Sequence, residues 1–253
     1  MTFMKLYYLI FFDFFIECFA KMRGIVLLSG GLDSTTMLRI VQEQKYEVYA
    51  LTFNYGQKHS IEIEKAKNIA KRYNVSDHKI IDIDIKSIGG SALTDDTLQL
   101  QKNSKSLPIN HLNNNIPLSY VPARNTIFLS YALGYAEVIK ASRIFIGINA
   151  IDYSGYPDCR PEYLKQFNIL AKLATAASVK NELQIEVEAP LLYMSKAEII
   201  NQGLKLRVDY NDTMSCYEPS ANGHACGKCD ACILRLNGFA ENNMYDPAKY
   251  QNQ

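Results

Sequence analysis

From Gly24 onward the chain alternates between short apolar runs and longer segments with helical periodicity. Five runs rich in Ile and Val are mostly too short for helices, and we predict that they form strands. These runs are Gly24–Leu28, Val48–Phe53, Lys79–Ile83, Arg143–Ile148 and Gln184–Glu188. Strands that alternate with helices favour a parallel sheet that is covered by helices on both faces.

The segments between these strands place apolar residues at helical spacing. We predict helices at Ser34–Gln44, Ser60–Tyr73 and Asn125–Ile139. After the fifth strand, the sequence Ser-Lys-Ala-Glu at residues 195–198 is typical of a capping box that begins a short helix, and we expect Gly203 to end that helix. The predicted fold class is therefore a doubly wound parallel α/β sheet, Rossmann-like in its layers.

The segment Gly89–Tyr120 breaks this alternation. It is mostly polar, has no apolar periodicity and contains a run of three asparagines at residues 113–115. Long connections without secondary structure inside a compact domain are usually functional or mobile. We interpret this segment as a lid or a mobile insertion.

Residues 1–21 differ in composition from everything that follows, because they hold 8 of the 28 aromatic residues. The apolar run is too short for a membrane span and is interrupted by Asp13 and Glu17. The same acidic residues disfavour a signal peptide. We interpret the segment as foreign to the fold, with Met22 as the true start; a membrane-surface helix and a dimer-contact helix are the alternatives. A single domain then covers residues 22–253.

The overall composition excludes several classes of protein. The chain has 253 residues, 48% of them apolar, and its 27 basic and 26 acidic residues give a net charge of +1. Disorder requires fewer apolar residues and more net charge, and collagen-like sequences require far more Gly and Pro. A near-zero net charge provides no global field that attracts nucleic acid. We expect one soluble globular protein with neither a nucleic-acid nor a membrane partner.

A glycine-containing motif, SGGLDS at residues 29–34, follows the first strand and begins the first helix. Two adjacent glycines let the backbone approach an anion, and the start of a helix offers unpaired N–H groups. The motif lacks the Lys of the common P-loop, and it resembles the signature of the PP-loop ATP pyrophosphatases. We predict that Asp33 helps to hold Mg²⁺ on the departing pyrophosphate. The predicted ATP-binding residues are Leu28, Ser29, Gly30, Gly31, Leu32, Asp33, Ser34, Thr35, Thr36, Met37 and Leu38.

Four of the six cysteines lie close together near the C-terminus. They are Cys216, Cys226, Cys229 and Cys232, and the last three are separated by two residues each. Such clustering in a chain of this length indicates a metal site in a reducing compartment rather than disulfides. Four thiolates satisfy tetrahedral Zn²⁺ and leave no open position, so we predict a structural zinc knuckle at residues 216–232. An iron–sulfur cluster is the alternative.

Three further segments combine aromatic and polar residues, namely residues 53–59, 121–126 and 152–161. Each follows a predicted strand or helps to cover its carboxyl end, where open α/β sheets bind ligands. Aromatic rings there can stack on a planar base, while Asp158 and Arg160 can bind its edge or a carboxylate. Taken singly, each segment is also compatible with an ordinary structural loop.

With the motifs SGGLDSTT, FNYGQKH, VPARNTIFLSYALGYAE, DYSGYPDCRPEY and CYEPSANGHACGKCDAC in this order, the sequence resembles the 7-cyano-7-deazaguanine synthase family. The resemblance extends from about Met22 to the C-terminus. One departure is Ala123, where the family pattern has Gly, and Arg124 and Asn125 are in place beside it.

The resemblance implies an adenine-nucleotide hydrolase fold and an ATP-dependent conversion of 7-carboxy-7-deazaguanine and ammonium to a nitrile. Two adenylations would give two AMP and two pyrophosphate, and an ADP-based stoichiometry stays open. The implied catalytic residues are Asp33, Arg124 and Lys196. The implied base-binding residues are Tyr153, Asp158 and Arg160. A cytoplasmic homodimer is also implied, and Cys159 with His59 is a candidate nucleophile pair that the sequence cannot place in space.

Two other functions stay open at this point. Another PP-loop ATPase, such as a tRNA sulfur transferase or a tRNA-modifying ligase, would also adenylate an oxygen atom, but it should carry a basic tRNA-binding surface or an extra domain. A nucleotide-sensing regulator with a zinc knuckle would require no chemistry at Asp33.

Overall fold

The computed structural model of the chain describes residues 21–95, 97–99, 116–151 and 155–251. The interpretation of residues 1–21 therefore falls outside the described residues except for Lys21, and Tyr153 also lies outside them. Within the described ranges, no helix is long and apolar enough to cross a membrane.

In the part of the chain that the structure describes, five parallel strands form a single sheet, as the apolar pattern predicts. Their order is β3-β2-β1-β4-β5, so the order reverses between β1 and β4. Ligands bind in the crevice at the carboxyl ends of the strands at such a reversal. The strands are β1 (Arg23–Leu27), β2 (Glu47–Asn54), β3 (Asp77–Asp82), β4 (Arg143–Phe145) and β5 (Glu186–Glu188).

Seven α-helices cover the sheet within the described residues. They are α1 (Leu32–Glu43), α2 (Ile61–Arg72), α3 (Arg124–Ile139), α4 (Pro161–Ala174), α5 (Ala176–Val179), α6 (Lys196–Lys205) and α7 (Asp230–Glu241). One apolar cluster joins the sheet to α1, α2, α6 and α7, and a second joins it to α3 and α4. Helices on both faces make the sheet doubly wound, which confirms the predicted fold class. Short 3₁₀ helices lie in the connections at Lys86–Ile88, Pro157–Cys159 and Tyr210–Asp212.

Helices α4, α5 and α7 are absent from the sequence prediction. Helix α4 begins with Pro161 at its first position, where a missing N–H costs nothing. Helix α7 begins directly after Cys229, so its first turn is part of the cysteine motif. The fourth strand is also shorter than predicted, although the Ile146 amide still donates to the Glu188 carbonyl at 3.0 Å.

The predicted long connection is partly described. The Ala92 amide donates to the Leu118 carbonyl at 2.8 Å, which ties the two ends of the segment together. Leu93 is buried. Residues 96 and 100–115 lie outside the described residues, so a lid at this position stays a prediction.

The capping box at the start of α6 is confirmed, because Ser195 accepts from the Glu198 amide and the Glu198 side chain accepts from the Ser195 amide. The prediction that Gly203 ends this helix is wrong, since α6 continues to Lys205. Gly203 serves packing instead. A Cβ at this position would lie 1.9 Å from the Tyr210 hydroxyl oxygen and 2.9 Å from the Thr36 hydroxyl oxygen.

We predict that Gly203→Ala destabilises the protein by about 1–3 kcal/mol, because the added methyl overpacks the buried Tyr210 hydroxyl. The matched control is Gly134→Ala in α3, where a Cβ meets nothing within 4 Å. That change should raise the free energy of unfolding by up to about 1 kcal/mol through helix propensity. Urea unfolding measures both, and equal stability of the two variants would contradict the packing role of Gly203.

Candidate active site

The SGGLDS motif forms the loop after β1 and the first residues of α1, at the point where the strand order reverses. The Ser29 and Ser34 hydroxyl oxygens lie 3.1 Å apart, and the Ser29 hydroxyl also accepts from the Gly31 amide at 3.3 Å. A cavity of about 240 Å³ opens beside this loop. The cavity is lined by Leu28, Ser29, Gly31, Leu32, Asp33 and Ser34 from the predicted ATP-binding set.

Gly30 allows a close approach between this loop and α2. Its φ is +82°, and a Cβ there would lie 2.5 Å from the Glu62 carbonyl oxygen and 2.8 Å from the Ala66 nitrogen. Real Cβ atoms do not tolerate such distances. Only glycine therefore fits, and the contact fixes the first turns of α2 against the loop.

The last four predicted ATP-binding residues face the protein interior. The Thr35 hydroxyl donates to the Gly31 carbonyl at 2.8 Å, and the Thr36 hydroxyl lies 2.8 Å from the Tyr210 hydroxyl. Met37 and Leu38 are fully buried in the core. These side chains do not line the cavity, so their contact with ATP stays a prediction.

Asp33 and Lys196 are brought together by α1 and α6. The Lys196 ammonium donates to both carboxylate oxygens of Asp33, at 2.7 and 2.8 Å. Asp33 lines the cavity, whereas Lys196 lies behind it and is 8% exposed. Lys196 reaches this place because Gly238 leaves space for its chain, since a Cβ at Gly238 would lie 2.6 Å from the Lys196 Cγ. The geometry makes Lys196 the residue that positions Asp33.

Arg124, at the start of α3, also lines the cavity. Its guanidinium donates to the Tyr55 hydroxyl at 3.3 Å and lies over the Tyr55 ring, 5.6 Å from the centroid. Ala123, the departure from the family pattern, has a left-handed backbone with φ +52°. A residue other than glycine in this conformation costs about 1–2 kcal/mol, which explains why the pattern favours glycine there.

The three residues predicted to bind the base differ in where the structure places them. Tyr153 lies outside the described residues. Asp158 is buried at 5% exposure, and its carboxylate accepts from the Asn125 amide at 3.0 Å. It therefore holds the start of α3, and with it Arg124, rather than lining the cavity. Arg160 is exposed and is also not among the lining residues. Contact of these residues with the base stays a prediction.

Cys159 and His59 both line the cavity, but they do not form a nucleophile pair. Burial raises the pKa of the Cys159 thiol to about 12, which keeps it protonated at neutral pH. Its polar neighbour is the Asn125 side-chain amide at 3.6 Å. His59 Nε2 is buried and has no hydrogen-bond partner among the described residues.

The four clustered cysteines converge as predicted, with all four sulfur atoms within 4.8 Å of one another. Cys226 Sγ and Cys232 Sγ are 4.0 Å apart. Tetrahedral zinc with Zn–S bonds of about 2.3 Å requires sulfur separations of about 3.8 Å, so the cluster fits the ion. Backbone amides support the sulfurs: those of Cys226 and Glu218 donate to Cys216 Sγ at 3.1 and 3.3 Å.

This knuckle is attached directly to the SGGLDS loop. The Met214 amide donates to the Gly30 carbonyl at 2.9 Å, and the Leu32 amide donates to the Ser215 hydroxyl at 3.4 Å. Cys216 and Tyr217 then continue along the cavity wall. The cysteine cluster therefore orders one side of the cavity.

Comparison with known proteins agrees with this geometry. The family model described as queuosine biosynthesis protein QueC matches residues 23–243. The chain belongs to this family. A 7-cyano-7-deazaguanine synthase of Rickettsia conorii is 53% identical over 232 residues, which cover 91% of this chain and 99% of the relative. The synthase of Saccharophagus degradans is 50% identical over 230 residues, covering 91% and 98%, respectively.

In this member of the QueC family, the structure identifies one cavity residue that the sequence did not indicate. Glu62, in the first turn of α2, lines the cavity. A signal for it was present, because Glu62 lies four and eight residues before Ala66 and Ala70 on the buried face of α2. Charged side chains are rarely buried without a partner, so a glutamate in line with this buried face is a weak signal in the sequence.

We predict that Gly30→Ala is more destabilising than Gly89→Ala. Both positions have positive φ, so both substitutions bring backbone strain of about 1–3 kcal/mol. A Cβ at Gly89 meets nothing within 4 Å, whereas a Cβ at Gly30 overlaps backbone atoms of α2 and adds about 1–3 kcal/mol. Urea unfolding of the two variants compares them directly. An equal decrease in the free energy of unfolding for both variants would contradict the proposed packing of α2 against Gly30.

Proposed function

We propose that the chain is an ATP-dependent ligase that converts 7-carboxy-7-deazaguanine and ammonium to 7-cyano-7-deazaguanine in queuosine biosynthesis. The observation that carries the proposal is the pairing of near full-length similarity to enzymes of that name with a cavity that begins at the SGGLDS loop. An adenylation requires charged groups. Here they are the paired Asp33 and Lys196, together with Arg124, which lines the same cavity as Asp33.

The reaction must remove both oxygens of a carboxylate. A carboxylate is a poor electrophile, so transfer of AMP to one oxygen first creates a leaving group and releases pyrophosphate. Ammonia then displaces AMP and gives the amide. A second adenylation, on the amide oxygen, allows elimination of AMP to the nitrile, so the proposed stoichiometry is two AMP and two pyrophosphate for each nitrile.

The residues of the cavity have different proposed roles. The amides and hydroxyls of residues 29–34 would bind the pyrophosphate. Arg124 would bind the substrate carboxylate or the acyl-adenylate. The Asp33 carboxylate would hold Mg²⁺, which when bound neutralises phosphate charge. Tyr153, Asp158 and Arg160 remain proposed contacts for the base.

For the cysteine cluster we propose one structural zinc ion. Four thiol ligands leave no position for a catalytic water, so this metal would order the segment at residues 213–217 rather than take part in the reaction.

We also propose a cytoplasmic homodimer. This is supported by apolar side chains exposed on α3, α4 and α5, on one face of the sheet. They include Val138 (78% exposed), Leu173 (71%) and Val179 (65%).

The proposed reaction predicts that the purified protein, with 7-carboxy-7-deazaguanine, ammonium, Mg²⁺ and ATP, forms the nitrile and AMP. Mass spectrometry follows both products. Asp33→Asn should lower the rate by about 100-fold or more, because it removes a preorganised charge from the reaction site. Glu241→Gln, at an exposed position at the end of α7, is the control and should keep full activity. Cleavage of ATP to AMP with no change in this base would overturn the substrate assignment.

Metal analysis should find one zinc ion for each chain, in a protein without visible absorbance. Cys229→Ser should release most of the zinc, because it removes one of four sulfur ligands. Cys159→Ser, outside the cluster, should retain it. Iron with visible absorbance would indicate the iron–sulfur alternative and contradict the zinc proposal.

A further inference from the structure

Glu62 is held in the cavity by the contact between α2 and Gly30 of the SGGLDS loop. Its own carbonyl oxygen is the atom that a Cβ on Gly30 would approach to 2.5 Å. The backbone of Glu62 therefore cannot move away from the loop without opening this contact. Glu62 lines the same cavity as Asp33 and Arg124, and the charge of Arg124 acts on its carboxyl group.

Asp33 and Glu62 are the two carboxylates on the described cavity wall, and their surroundings differ. Both oxygens of Asp33 accept from the Lys196 ammonium. The Glu62 carboxyl group makes no hydrogen bond within the described part of the chain. Burial raises its pKa to about 7, although the charge of Arg124 acts in the opposite direction. Glu62 is thus poised to bind a cation and to accept a proton near neutral pH.

The other ionisable groups near Glu62 are less suited to this task. Lys58 and Arg124 are cations and repel another cation. Burial lowers the pKa of His59, so its ring is mostly neutral and has no charge with which to attract one. The tyrosine side chains on the wall and the Cys159 thiol are protonated at neutral pH, and Cys216 belongs to the cysteine cluster.

The proposed function requires a group that binds a cation and accepts a proton from it. Ammonium is the main form of ammonia in neutral water, and it has no lone pair with which to attack a carbonyl carbon. It must bind in the cavity and lose a proton there. We propose that Glu62 binds the incoming ammonium and acts as the general base that removes this proton. This inference rests on the proposed ligase function.

The step balances as follows. Ammonium transfers one proton to the Glu62 carboxylate and becomes ammonia. The nitrogen lone pair forms the C–N bond to the acyl carbon, and the bond from that carbon to the AMP oxygen breaks. A second proton leaves the nitrogen for solvent as the amide forms. Glu62 then returns its own proton to solvent, so the products are the amide, AMP and two protons.

The test separates adenylation from the attack of ammonia by means of E62Q, which keeps the shape of the side chain and removes its charge. Exchange of labelled pyrophosphate into ATP, dependent on 7-carboxy-7-deazaguanine and measured without ammonium, reports adenylation alone. We expect E62Q to retain this exchange within about threefold of wild type. We expect nitrile formation from ammonium to fall about 100-fold, the usual contribution of a general base.

A second nucleophile provides the readout that a structural role would not change. Hydroxylamine is a weaker base than ammonia and is mostly neutral at pH 7, so it attacks without first losing a proton. We expect the E62Q defect to shrink at least tenfold when hydroxylamine replaces ammonium and hydroxamate is measured. The defect with ammonium should also shrink as the pH rises and free ammonia increases. E62D should recover part of the activity with ammonium.

The control variant is E64Q, which changes the other acidic residue in the first turn of α2. Glu64 is exposed, pairs with Lys67 at 2.6 Å, and lies away from the cavity. E64Q should match wild type in both assays. Loss of pyrophosphate exchange in E62Q, full nitrile formation in E62Q, or an equal defect with both nucleophiles would each overturn the proposal. If wild type itself shows neither exchange nor nitrile, the proposed function fails, and the role of Glu62 fails with it.

Discussion

The close approach of α2 to the SGGLDS loop is the constraint on which the site depends. Gly30 has a positive φ and no side chain, so backbone atoms of Glu62 and Ala66 occupy the space that a Cβ would need. The carbonyl of the same glycine accepts from Met214, which leads into the cysteine cluster. One residue thus connects the SGGLDS loop, the helix that carries Glu62 and the cysteine knuckle.

The two carboxylates in the cavity illustrate how surroundings give similar groups different chemistry. Asp33 is paired with a buried lysine, Lys196, which suits a role beside phosphates and a divalent cation. Glu62 has no such partner among the described residues, and burial shifts its pKa towards neutrality. The first group suits electrostatic stabilisation, while the second suits proton transfer.

The sequence was most informative where a feature depends on nearby residues. The strand pattern, the SGGLDS loop, the capping box at Ser195 and the cysteine spacing are local, and the structure bears out their placement. Features that depend on distant contacts were missed. Asp158 holds the amide of Asn125, 33 residues away, and Gly203 makes room for Tyr210. Glu62 was overlooked because its position in the cavity follows from the packing of α2 on Gly30.

The central claim is that the cavity activates a carboxylate by adenylation. The most direct measurement uses substrate whose carboxylate carries heavy oxygen and follows that isotope into the nucleotide products. The account predicts one labelled oxygen in each AMP and two AMP formed for each nitrile. Label in inorganic phosphate, with ADP as the nucleotide product, would contradict it.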